Sequence, residues 1–150
     1  MSFLFQDLKL RSLTAKNRIV VSPMCQYSSE DGFATDWHLV HLGTRAVGGA
    51  GIVFTEATAV APEGRISYAD LGIWKDEHIE GLERITRFLK EQGAIPAIQL
   101  AHAGRKASRM TPWEGGGAIE DQEVAWEPMG PSGIPFRAHE PAPSAMGGRG

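Results

Sequence analysis

The chain has 150 residues, 42% of them hydrophobic and 22% charged, the make-up of a globular domain able to bury most of its apolar surface. A net charge of -3 favours neither a nucleic-acid backbone nor an anionic membrane surface, and no apolar run approaches a membrane span. One cysteine allows no internal disulfide and cannot by itself supply a cysteine-rich metal or iron–sulfur site, which fits a cytoplasmic setting.

The start, Met1 to Asp7, has no basic region followed by an apolar core, so no signal peptide is expected. Residues 1–17, short apolar pieces broken by Asp7, Lys9, Arg11 and Lys16, read as an N-terminal cap or hairpin. Arg18 to Met24 reads as the first core strand. Residues 25–35 form a loop with an Asp31-Gly32 turn pair. Asp36 is placed to N-cap a helix from Trp37 to Val47, with Trp37, Val40, Thr44 and Val47 on its apolar face and Gly48-Gly49 as its stop. Gly51 to Ala57 is continuously apolar enough for a buried parallel strand. Asp76 is placed to cap a second helix through Gln92, with Ile79, Leu82, Ile85 and Leu89 at helical spacing and Gly93 ending it. Ala94 to Ala101 reads as a third buried strand, with Pro96 near its start, where proline is tolerated. Residues 18–109 thus hold three strands and two helices in β/α alternation, with right-handed crossovers expected. From Met110 to Gly150, glycines and prolines leave no sustained period, and the segment reads as a long loop or a disordered tail.

Several clusters invite a chemical reading. Ser22-Pro23-Met24-Cys25-Gln26-Tyr27 closes the first strand. In parallel α/β proteins, sites are built where a strand passes into its following loop. A thiol and a phenol two residues apart there suit a pocket for a flat, electron-accepting ring, and equally a strand end with a buried thiol. Gly48-Gly49-Ala50-Gly51 lies before a strand rather than between a strand and a helix, so it reads as a helix stop rather than a phosphate loop. His38 and His41, three apart among apolar residues, read as packing and capping groups rather than a metal pair. Gln99, between Ile98 and Leu100, needs partners for its donor and its acceptor. A ligand's imide edge or a neighbouring polar side chain would serve. His102, Arg105 and Lys106 make a cationic strand end, suited to an anionic ligand or to plain solvation. Glu56 and Glu63 could be read as paired carboxylates for glycoside cleavage, but no second strand-end acid supports that.

Taken in order, Ser22-Pro23-Met24-Cys25-Gln26-Tyr27, Asp36-Trp37-His38, Thr55-Glu56-Ala57-Thr58-Ala59-Val60, Pro62-Glu63-Gly64-Arg65-Ile66 and Gln99-Leu100-Ala101-His102-Ala103-Gly104-Arg105-Lys106 form a set. The set resembles the Old Yellow Enzyme family of flavoprotein ene-reductases, and the Cys and Tyr after Pro-Met resemble its thermophilic-like branch. The resemblance implies the N-terminal portion, about three β/α units, of an FMN-binding TIM (β/α)8 barrel preceded by an N-terminal hairpin. Eight strands need roughly 200 residues or more, so three strands cannot close a barrel.

The same resemblance implies the cofactor FMN, with NADPH or NADH as reductant and an α,β-unsaturated carbonyl or nitro compound as substrate. It implies that Ser22, Pro23 and Met24 line the flavin and that Cys25 tunes its redox poise. Ala59 would give backbone contact to the ring, and Gln99 would bond its pyrimidine edge. Tyr27 would reach the substrate carbonyl, and Ile66 would wall the pocket. The family's His pair, proton-donating Tyr, flavin-facing Arg and phosphate site fall beyond Gly150. Three readings of the whole follow. The chain is part of an ene-reductase, a homo-oligomer when complete, with the missing barrel supplied by a second chain or by further sequence. Otherwise it is an inactive fragment or a self-associating open-sheet module. A dienoyl-CoA-reductase-like branch, with an iron–sulfur cluster, would carry its cysteines downstream.

Overall fold

A computed structural model describes residues 2–147; the end of the glycine-rich run, 148–150, lies outside them. The chain opens with a 3-10 turn, Phe3–Phe5, and an antiparallel hairpin of β1 (Leu8–Leu10) and β2 (Leu13–Ala15). It then enters a three-stranded parallel sheet ordered β3 (Val20–Val21), β4 (Ile52–Ala59) and β5 (Ile95–Ala101). Helix α1 (Asp36–Val47) joins β3 to β4, and α2 (His78–Glu91) joins β4 to β5. This is the β/α alternation that the apolar periods predict.

The first core strand is shorter than expected. Ladder pairing stops at Val21, and Ser22 to Met24 leave the sheet. Pro23 has no N–H to offer a neighbour, so the strand cannot run through it. The helix starts also differ. Thr35, not Asp36, is the N-cap residue of α1, and its N–H donates to His38 Nδ1 at 3.0 Å. Asp36 is instead the acid of the first turn, where the helix dipole favours it. Helix α2 begins at His78 after Glu77, two residues beyond Asp76.

The buried face of α1 departs further from expectation. His38, His41, Leu42, Gly43 and Ala46 are buried, while Trp37, Val40 and Val47 are exposed. The helix packs through its small residues: a Cβ on Gly43 would stand 2.9 Å from the Phe88 ring of α2. Close approach of two helices decided the face, rather than the count of apolar side chains. In α2 the heptad-like positions Leu82, Ile85 and Leu89 are buried as expected, and Ile79 is exposed.

The core unites Leu42, Ala46, Ala50, Val53, Ile85, Leu89 and Ala94, so both helices seal one face of β4. Strand β4 is central and buried on both sides. On β5, Leu100 is 63% exposed and Ile98 36% exposed, as on a strand whose cover is missing. Gly48 and Gly49 end α1, Gly49 at a φ of 101° that suits glycine.

Residues 110–147 make an irregular excursion with a 3-10 turn, Pro112–Glu114, and a two-stranded parallel ladder of β6 (Met129–Gly130) and β7 (Ser144–Ala145). Arg109 ties it down, donating from both terminal nitrogens to the Glu140 carboxylate at 3.0 and 3.1 Å. Among the described residues no helix is long and apolar enough to cross a membrane.

Candidate functional site

Past Pro23 the chain turns sharply. Tyr27 adopts a φ of 49°, the left-handed region that costs an aromatic residue energy. Cys25 and Tyr27 are brought close enough to perturb each other's ionisation. Cys25 stands near the backbone of Ala57 on β4. Ala57 in turn pairs with Gln99 in the β4–β5 ladder. Thiol and phenol, after β3, and Gln99, on β5, lie toward the C-terminal ends of the two strands that flank β4. Gln99 is exposed there, so its amide is open to a ligand.

Burial pushes the Cys25 thiol above its ordinary range, with the Asp70 and Glu56 carboxyls adding to it. Burial likewise pushes Tyr27 up to about 12, helped by the neighbouring thiol and Asp70. Both groups hold their protons at neutral pH. Asp70 is buried and itself raised, chiefly by that burial, against hydrogen bonds from Ser67 and the Ile66 N–H. Ile66 thereby anchors the acid that faces the thiol and phenol.

Ser22 and Met24 are exposed and Pro23 half-buried at the mouth of this strand end. Ala59 is different. It is buried, its N–H donates to the Leu71 carbonyl at 2.8 Å, and its carbonyl accepts from Ile73 at 2.9 Å. It presents no free backbone hydrogen-bonding group, so any contact with a ring there is one of packing. At the cationic strand end, His102, Arg105 and Lys106 are all exposed. Lys106 lies over the Phe136 ring, and Gly104 N–H donates to His102 Nδ1.

Beneath the loop lies a network that composition does not announce. Glu56, 3% exposed, accepts the Gln26 N–H on Oε2 at 2.9 Å, and its Oε1 stands 3.1 Å from His38 Nε2. His38 Nε2 also meets Ser29 Oγ at 3.3 Å. His38 is thus the capping group that its setting suggests, and it stands against the Glu56 carboxyl besides. His41 is buried beside it, its basicity lowered by that burial. With Glu56 committed to Gln26 and His38 and shut off from solvent, the reading of Glu56 and Glu63 as paired glycosidase acids fails. Among the described residues no group of three or more His, Cys, Asp or Glu side chains is placed to hold a metal ion.

Three contributors were not singled out for these roles. Asp70 has no sequence signal beyond an acid in a loop. Trp113 stands edge-on to Tyr27, ring centres 5.9 Å apart, though far from it in sequence. Glu56 did carry a signal: it is the one charged residue of an otherwise uncharged strand, Ile52 to Ala59.

Comparisons with known proteins identify the family and the fold. The family described as NADH:flavin oxidoreductase / NADH oxidase matches residues 3–128. An NADPH dehydrogenase of Bacillus cytotoxicus is 52% identical over 145 residues, 95% of this chain and 38% of that protein. Morphinone reductase superposes with a TM-score of 0.77 at 25% identity, over 97% of this chain and 41% of its own. The Old Yellow Enzyme of Pichia sp. AKU4542 does so with a TM-score of 0.72 at 27% identity, over 88% of this chain and 32% of its own. The chain thus spans about two fifths of the relatives it matches, and its sheet is the N-terminal portion of their TIM (β/α)8 barrel. On its motifs, its fold and its relatives, the chain belongs to the NADH:flavin oxidoreductase / NADH oxidase family.

Proposed function

We propose that this chain forms the flavin-facing N-terminal part of an FMN-dependent ene-reductase that takes hydride from NADPH or NADH. The observation that carries the reading is Cys25 and Tyr27 set side by side after β3, with Gln99 exposed on β5 toward the same strand ends. Those residues fit the flat, polar-edged group. Gln99 offers a donor and an acceptor to the pyrimidine edge, and Ser22, Pro23 and Met24 line the ring. Cys25 supplies a polarisable neutral thiol beside it, and Ala59 packs from behind. When bound, FMN supplies the hydride chemistry between nicotinamide and an alkene conjugated to a carbonyl or nitro group.

Tyr27 holds its proton, and the neighbouring Cys25 sulfur is a weak acceptor. A substrate carbonyl oxygen is a stronger one, so the phenol turns to it and stabilises the charge that develops there. Ile66 and the indole of Trp113 close the pocket around that oxygen. The name of the Bacillus relative favours NADPH over NADH. The complete protein is read as a cytoplasmic homo-oligomer.

The test supplies the missing barrel strands as a second polypeptide. Visible absorption of bound flavin and alkene-dependent oxidation of NADPH are expected. A folded, flavin-loaded assembly that reduces no enone or nitroalkene would refute the reading. The second reading, a non-catalytic self-associating module, draws on the uncovered edges of β3 and β5. It predicts self-assembly without flavin.

A further inference from the structure

Burying a carboxylate is expensive, and replacing a buried charged pair by apolar residues of like volume is often harmless to stability. The side chains of Glu56 and His38 are each 2% exposed, so the pair needs a reason beyond stability. Its geometry gives one. The β4–β5 register slips between Phe54 and Ala57, a bulge that spends one extra residue on β4. Bulges re-aim side chains. Here Thr55 and Thr58 lock the distortion through a hydroxyl contact of 3.1 Å, and Glu56 is aimed at the loop that follows β3.

The atom it reaches is the N–H of Gln26, the residue between Cys25 and Tyr27. The Gln26 side chain is held as well: Nε2 donates to the Met24 carbonyl at 2.8 Å, and Oε1 accepts from Trp37 Nε1 at 3.0 Å. A left-handed Tyr27 persists only where its surroundings over-determine it, and these bonds do so.

His38 fixes the carboxylate in turn. Its Nδ1 accepts the Thr35 N–H, so the ring carries its proton on Nε2, facing Glu56 and Ser29. That one proton is shared, and the Glu56 Oε1 contact has ion-pair distance without hydrogen-bond alignment. One carboxylate oxygen, Oε1, is thus left buried without a hydrogen bond, while Oε2 holds the Gln26 N–H.

We propose that Glu56, braced by His38, is the positioning residue of the Cys25–Tyr27 pair. Its carboxylate pins the Gln26 amide and so fixes where thiol and phenol stand. The proposal rests on the reading of that pair as the flavin- and substrate-facing groups, but its test needs neither ligand.

The test is Glu56→Gln in the full chain. An amide is neutral, and with its oxygen on the Gln26 N–H its NH2 would face the His38 Nε2–H, donor against donor. Hydrogen exchange at the Gln26 amide should speed up about tenfold or more, the effect of losing one charge-assisted bond. The S–H stretching band of the sole cysteine, read by infrared, should shift as the thiol's setting beside the phenol changes. A folded Glu56→Gln protein with both signals unchanged overturns the proposal. Should that variant not fold, Gln26→Ala decides. It keeps the N–H bond to Glu56 and removes only the side-chain clamps. Its S–H band should match the parent's, and a shifted band would assign the positioning to those clamps instead.

Discussion

Tyr27 shows how much one residue's surroundings decide. Its phenol is raised to about 12 and the Cys25 thiol is raised above 9.0, both first by burial. A group raised on folding contributes stability that is complete below its unfolded pKa and lost as pH climbs through the folded one. The denaturation midpoint should therefore fall from about pH 9 upward. It should fall less steeply in a Cys25→Ala, Tyr27→Phe double variant, and equal slopes in urea titrations would contradict this. In the barrel-complete, flavin-loaded protein, Tyr27→Phe should lower alkene reduction by ~10²-fold, the scale of one lost donor to a developing oxyanion. Steady-state turnover of an enone measures it. The thiol and phenol were legible as a pair because they stand two apart at a strand end. Their carboxylate neighbours were not. Asp70 and Glu56 reach them from other elements, and side-chain aim across a bulge leaves no period in the sequence.

Among the elements, the helices separate what apolar counting can and cannot reveal. Helix α2 followed its Leu82, Ile85, Leu89 spacing because those large side chains fill the core under β4. Helix α1 turned a different face inward because Gly43 and Ala46 let Phe88 and its helix come close. Two glycines make the contrast testable. Gly81 lies inside α2, and a Cβ there would meet the Ala34 Cβ at 3.5 Å, an ordinary contact. Gly81→Ala should therefore stabilise by ~0.5–1 kcal/mol, the helical cost of glycine. Gly43→Ala should lose stability instead, since the Phe88 ring would have to move from 2.9 Å. Chemical denaturation of both variants reads the two signs. The parallel alternation itself was legible, since β4 is buried on both faces and so carries a continuous apolar run. The early end of β3 followed from Pro23, a signal present in the sequence but outweighed by the run of Ile19, Val20 and Val21.

Taken whole, the molecule leaves the outer edges of β3 and β5 without a neighbouring strand in the three-stranded sheet. Leu100 and Ile98 stand exposed on β5 and Val20 on β3. Unpaired edges recruit strands from other chains. Sedimentation velocity should show mass rising with concentration, and a partner polypeptide carrying the later strands should suppress it. A monodisperse monomer at all concentrations would argue that the edges are shielded. Strand number against chain length showed only that three strands cannot close a barrel, and that the sheet is part of one came from the resemblance of its motifs; the course of residues 110–147 was not legible, because their order comes from single long-range contacts such as Arg109 with Glu140.

The excursion has a consequence for how such a barrel can change. It leaves the strand end near Gly104, and after Met129 it is back, with the Met129 carbonyl 3.7 Å from where a Gly104 Cβ would stand. Its net displacement is small, and the Arg109–Glu140 clasp closes a loop of its own. A loop that departs and returns to one place is a detachable appendix. It can lengthen, shorten or be exchanged between relatives while β5 and the strand ends beside it keep their places. Because closure entropy grows only with the logarithm of loop length, such rewriting is thermodynamically mild. Variation in what the pocket admits can then accumulate there without disturbing the strands that hold Cys25 and Gln99.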